Sequence, residues 1–136
     1  MKNFNLKWVS LLVFIVFTSC VIERDVKIYI SNQKPLIFSF SNSQQLAMLY
    51  VYKIVPNKSI ELDKLDNNPN LMWLIEGSPK DTNLIEYGVT PLAMKEVIKA
   101  KKLEEGQKYL VSGLSANGTT KGTQFIITQG LPVTIK

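Results

Sequence analysis

Apolar residues in this chain mostly recur at every second position, and a run with that period buries one face as a strand but cannot do so as a helix. In RDVKIYI, Val26, Ile28 and Ile30 share a face, and in LIFSF, Leu36, Phe38 and Phe40 do the same. The segment LAMLYVYKI is apolar almost throughout, with Met48, Tyr50, Tyr52 and Ile54 on one side and Ala47, Leu49 and Val51 on the other. That is the pattern of a central strand covered on both faces. Turn chemistry in VPNKS ends it, and residues 56–70 form the most polar stretch of the chain. There Asn67, Asn68, Pro69 and Asn70 make a loop rather than a ladder. LMWLIEG reads as the next strand, closed by Gly77, Ser78 and Pro79, and NLIEYGVTP follows as a short extended piece.

Residues 92–102 admit two readings. Leu92, Val97 and Ile98 fit a helix opening at Thr90-Pro91, whereas Met94, Glu96, Ile98 and Ala100 alternate as on a strand. The following segment, LEEGQKYLVSGL, favours the strand. Asn117-Gly118 then reads as a hairpin tip, GTQFIITQG as the last long strand, and LPVTI as an extension of it. About seven strands joined by short turns predict an all-β fold, a two-sheet antiparallel β-sandwich.

Leu103, Gly106 and Tyr109 repeat an L-x-x-G-x-x-Y spacing at a turn entering a strand. This resembles the tyrosine corner of immunoglobulin-like and fibronectin type III sandwiches. The resemblance implies that the Tyr109 hydroxyl bonds back to the preceding backbone.

The first residues answer to different physics. Lys2 and Lys7 give a positive start, and Trp8 to Phe17 is apolar except for Ser10. Ten helical residues rise about 15 Å, half the roughly 30 Å of a hydrocarbon core. A short apolar run behind a basic start reads as a secretory signal, residues 1–19, rather than an anchor. Cys20, the only cysteine in the chain, follows at once. Phe17-Thr18-Ser19-Cys20 resembles the lipobox of bacterial lipoproteins, with Phe where the family usually has Leu. The alternative is a plain signal peptide with an incidental cysteine. The resemblance implies a diacylglyceryl group on the Cys20 thiol and cleavage before it. Residues 20–24 would then be a lipidated cysteine with a short tether, and residues 25–136 the sandwich. Val21, where Asp would retain a lipoprotein in the inner membrane, implies the periplasmic side of the outer membrane. Residues 21–24 reach at most about 14 Å, so the domain should sit close to the bilayer.

Two of the 16 Lys and Arg precede Cys20, leaving 14 against 11 Asp and Glu, a mild and dispersed excess that does not call for nucleic acid. A domain of this length needs no disulfide to bury an adequate core. The chain has no histidine, which removes the commonest general base and metal ligand. Glu61, Asp63, Asp66 and Glu76 fit no EF-hand spacing. No catalytic residue, cofactor or metal is assigned, and an enzyme is not expected. Trp73 reads as core, or as an anchor for a partner. Lys95, Lys99, Lys101, Lys102 and Lys108 read as a charged edge that resists mispairing, or as a basic patch for a protein partner. Asn67 and Asn68 sit in the polar loop as further contact candidates.

The whole plan resembles that of small periplasmic lipoproteins that act as immunity proteins against type VI secretion effectors. The shared features are the lipobox, the short tether, the early VKIYI strand, and the L-x-x-G-x-x-Y strand followed by FII. The resemblance implies a non-catalytic protein-binding module anchored to a lipid bilayer, and carries over no functional residue except Cys20. A structural lipoprotein of a secretion or envelope assembly is the alternative.

Overall fold

The computed structural model describes residues 26–60, 67–77, 82–115 and 118–136. The lipobox residues Phe17, Thr18, Ser19 and Cys20 lie outside the described residues. The alternating runs form β1 Val26–Ile30, β2 Ile37–Gln44, β3 Leu46–Lys53, β4 Leu71–Gly77, β5 Thr82–Glu86, β6 Met94–Ile98, β7 Lys108–Ser115, β8 Gly118–Lys121, β9 Thr123–Thr128 and β10 Leu131–Thr134. A small sheet, β5-β2-β1, faces a larger one, β6-β4-β3-β7-β9-β10, in an all-β sandwich.

Ten strands stand where about seven were expected, and the excess arises towards the C-terminus. The strand returning from the β7 hairpin is broken at Gly122. Its first part, β8, pairs β7 only at Leu114 and Ser115, while β9 pairs β7 from Lys108 to Val111. A Cβ at Gly122 would stand 2.8 Å from Leu110 Cδ1, so the bend passes close against that side chain, which would have to shift to admit any larger residue. β8 turns out of the larger sheet and pairs β1 in parallel, Val26 beside Thr120 and Lys27 beside Lys121. The sandwich is therefore antiparallel-rich rather than wholly antiparallel, and Gly118 belongs to a strand, not to the hairpin tip. LPVTI does not prolong β9 either. Gln129 and Gly130 take φ of 53° and 73°, and the chain doubles back as β10. The Ile135 amide donates to the Gln124 carbonyl at 3.0 Å, so the amides of odd-numbered β10 residues address β9 and the backbone nitrogen of Pro132 lies on the outer edge. With no N–H to offer there, proline blunts that edge against a further strand.

Within residues 92–102 the chain forms a strand, β6, over Met94–Ile98 and no helix. Ile75 pairs Glu96 and Leu74 pairs Ile98, leaving Val97 as an extra residue. That bulge breaks the expected alternation: Met94 and Ala100 pack into the main core, Ile98 onto the opposite face of the sheet. Met72 is the matching extra residue in β4, where Val51 pairs Trp73 and Tyr52 pairs Leu71.

The main core fills the space between the sheets. Leu49, Val51, Trp73, Ile75 and Val111 from the larger sheet meet Val26, Ile28, Phe38, Phe40 and Ile85 from the smaller one. An unbroken series of rings crosses it. Centroid separations are 5.3 Å for Trp73–Tyr87, 6.4 Å for Tyr87–Phe38, 6.3 Å for Phe38–Phe125 and 5.5 Å for Phe125–Tyr109, the range in which tilted and edge-on pairs attract. Tyr50, Tyr52, Leu71 and Leu74 form a second buried cluster with Ile60, Val97 and Ile98. β3 is thus covered on both faces, as its double alternation requires.

Strand direction defines two ends. β1, β3 and β5 start at one end, and β2 and β4 finish there, with Gln44 opposite Thr82 and Gly77 opposite Met94. The β7–β8 hairpin closes at that end. The other end carries residues 31–36, the β3–β4 connection, residues 99–107 and the turn at Gln129 and Gly130.

Candidate functional site

The far end, opposite the start of β1, is built around residues 99–107, which cross from β6 to β7. Two tyrosines pin that crossing. The Tyr87 hydroxyl donates to the Lys101 carbonyl at 2.7 Å, with the Met72 carbonyl at 3.3 Å. The Tyr109 hydroxyl accepts from the Glu104 amide at 2.8 Å. Leu103 packs against the core between them, and Gly106, at φ 73°, takes the turn that a side chain would strain. Burial pushes the Tyr87 phenol well above its ordinary value near 10. The folded state therefore holds that proton more tightly than the unfolded chain. The resulting stabilisation is complete below about pH 10 and is lost as pH rises from there through the folded value. Tyr87→Phe should flatten the fall of urea midpoints above pH 10, while costing about 1 kcal/mol at neutral pH for the lost hydrogen bond. An unchanged alkaline limb would remove Tyr87 as its cause.

Beside this crossing lies a cleft of about 700 Å³. Leu36, Leu103, Ile127 and Pro132 give it an apolar floor, and Lys34 and Lys102 reach its rim. The two acids there are already engaged. Glu104 pairs with Lys53 at 2.6 Å, and their hydrogen bond raises the Lys53 ammonium above its ordinary value. Glu105 accepts from the backbone amides of Gln129 and Gly130 and so clamps the β9–β10 turn. Two ammonium groups over an apolar floor remain, a combination suited to an acidic, partly apolar segment of a partner.

A second hollow, about 580 Å³, opens at the same end beside Tyr52, Asn57 and Asn67 to Asn70. Asn68 shapes it: its side-chain oxygen accepts from the Asn70 amide at 3.0 Å, its side-chain nitrogen donates to the Tyr52 hydroxyl at 3.3 Å, and its carbonyl accepts from the Leu71 amide at 3.0 Å. Asn68 thereby starts β4, whereas Asn67 is exposed.

The structure divides the lysines that the sequence grouped. The Lys101 ammonium donates to the Pro69 carbonyl at 3.3 Å, joining the crossing to the asparagine loop, and Lys102 reaches the cleft. Lys99 is exposed just beyond β6. Lys95 lies opposite Glu76, towards the end where β1 starts, so it does not share a surface with Lys102. Trp73 is fully buried and its indole N–H donates to the Glu96 carboxylate at 3.1 Å; it is core, not an exposed anchor. Sequence reading passed over Lys34 and Glu105. Lys34, in NQKP, carries a turn signal but no sign that its loop folds beside Gly130, and Glu105 gains its role from a turn 24 residues away.

Among the described residues, no group of three His, Cys, Asp or Glu side chains is placed to hold a metal ion. Comparison with protein-family models, with curated proteins and with solved structures finds no match in any of the three.

Proposed function

We propose that this chain is a periplasmic lipoprotein, held on the outer membrane through Cys20, that binds a protein partner without catalysis and neutralises a type VI secretion effector by occluding it. The observation that carries the reading is strand direction. Because β1 leaves the tether at one end, the cleft under Lys34 and Lys102 and the hollow at Asn67 and Asn68 open at the other, facing away from the bilayer. The order β5-β2-β1 facing β4-β3-β7-β9, together with the Tyr109 bond to Glu104, supports a fibronectin type III-like sandwich. β6, β8 and β10 are additions to that plan.

Cells lacking the gene should die beside toxin-secreting siblings, and the intact chain should restore survival. Lys34→Glu combined with Lys102→Glu should fail to restore it, weakening partner binding by about tenfold or more, because like charges replace complementary ones. Both side chains are exposed, so the melting temperature should hold. Normal survival of the deletion strain against every cognate effector would overturn immunity. Recovery of secretion-machine subunits, rather than a toxin, in a crosslinking pull-down would instead favour a structural lipoprotein.

A further inference from the structure

The two outer faces of the sandwich are finished differently. On the larger sheet, Tyr50, Tyr52, Leu71 and Leu74 point away from the main core and are buried in a cluster with Ile60 of the β3–β4 connection. The smaller sheet carries no such cover among the described residues. Its inward side chains are Val26, Ile28, Phe38, Phe40 and Ile85, so the period of two turns Lys27, Tyr29, Ile37, Ser39, Leu84 and Glu86 outward. Pairing sets these in rows: Tyr29 stands opposite Ser39 and Ser39 opposite Leu84, while Ile37 stands opposite Glu86. Tyr29 is 54% exposed and Leu84 60%, two large side chains flanking a serine. Charge lies at opposite corners of the face. Lys27 precedes Tyr29 on β1 and neighbours Lys121 across the parallel pair with β8, and both lysines are exposed. Glu86, also exposed, is two strand spacings across and four residues along from Lys27, about 17 Å away. No ion pair joins Lys27, Lys121 or Glu86 to a partner among the described residues.

We propose that this face is a dimer interface, covered by the same face of a second copy of the chain. Its pattern is complementary to itself. A two-fold axis lying in the face, over Ser39 and across the line from Lys27 to Glu86, brings Glu86 of each copy to the Lys27–Lys121 pair of the other. The same rotation sets Tyr29 of each copy over Ile37 of the other. Ser39 meets Ser39 at the centre, where a small side chain lets the sheets close. The strands then cross steeply, in the manner of orthogonally packed sheets. A partner of another kind needs no such symmetry, whereas an isologous contact requires it. Lys27 and Lys121 also repel each other across their ladder, and a carboxylate set against both relieves that repulsion. The three strands span about 14 by 17 Å, less than the roughly 800 Å² per partner of a standard interface, so association belongs at micromolar concentration. The dimer requires neither the anchor nor the effector proposed above.

Sedimentation equilibrium of the full chain in density-matched nonionic detergent tests the interface. The mass should rise from one chain to two, and no further, as concentration passes through the micromolar range. Glu86→Lys in one variant, and Lys27→Glu with Lys121→Glu in another, should each weaken the dimer by about tenfold or more, because like charges then meet. An equimolar mixture of the two variants should recover it, since each supplies the charge that the other has reversed. Recovery in the mixture also shows that both variants are folded. A wild-type chain that stays single at the highest concentration attainable would overturn the proposal. So would variants that dimerise alone as the wild type does, or a mixture that stays monomeric. Assemblies larger than two would overturn it in favour of a head-to-tail contact.

Discussion

Trp73→Ala should destabilise the sandwich by about 3–5 kcal/mol, the range for removing a large buried aromatic side chain. Trp73 has no exposed surface, and its ring stands at one end of the aromatic series, 5.3 Å from Tyr87. Three losses coincide. The cavity opens between the sheets, where β4 and the smaller sheet are too constrained by their ladders to close it. Tyr87 loses the ring that it meets edge-on, which weakens its hold on Lys101 and hence on the crossing at residues 99–107. Glu96, half-buried, loses the indole donor that satisfies its carboxylate. Single domains of this kind are stable by only about 5–15 kcal/mol, so the variant should unfold at a much lower urea concentration or fail to accumulate. Trp73→Phe is the informative companion, since it keeps most of the ring and removes the N–H, and should cost much less. Trp8, the other tryptophan, precedes Cys20, so in a chain beginning at Cys20 Trp73 fluorescence would report on the core alone, and the tryptophan-free Ala and Phe variants are followed by circular dichroism. A loss below about 1 kcal/mol for Trp73→Ala would mean that the site collapses freely and that the ring series does not hold the sheets together.

Gly113→Ala should cost about 1–3 kcal/mol, towards the upper figure, by overpacking. A Cβ there would stand 2.4 Å from the Met48 carbonyl oxygen and 3.4 Å from the Leu49 Cα. The obstacle is the backbone of β3, which cannot rotate away as a side chain tip could. Gly113 faces Leu49 in the longest ladder of the larger sheet, and its own amide and carbonyl are tied to the Thr120 hydroxyl at 2.8 and 3.2 Å. Relief therefore requires β3 and β7 to separate next to the point where β8 leaves for the smaller sheet. Gly106→Ala separates sterics from backbone conformation: nothing lies within 4 Å of that Cβ, and only its φ of 73° opposes it. Urea unfolding of both variants should rank Gly113→Ala as clearly the worse. The reverse order would mean that β7 shifts cheaply.

Both substitutions act on features with different visibility in the sequence. Trp73 lies mid-strand in an apolar run, and its burial follows from the pattern. Gly113 interrupts KYLVSGLS without any turn signal, and only the approach of Met48, more than sixty positions away, explains it. The candidate site divides likewise. Leu103, Gly106 and Tyr109 are legible because a local corner imposes its own spacing. Lys34 and Glu105 are not, since 68 positions separate Lys34 from Lys102 and the fold alone places them on one cleft.

Period-two alternation on its own determined an all-β chain with β3 doubly buried, because the face on which a side chain emerges depends only on position along a strand. The tertiary structure decided the rest: the bulges at Met72 and Val97, the break at Gly122, the parallel β1–β8 pair, the return of β10, and the surfaces at the two ends. Each of these depends on which strand lies alongside which, and pairing partners are chosen by packing between residues far apart in the chain, where no local period reaches.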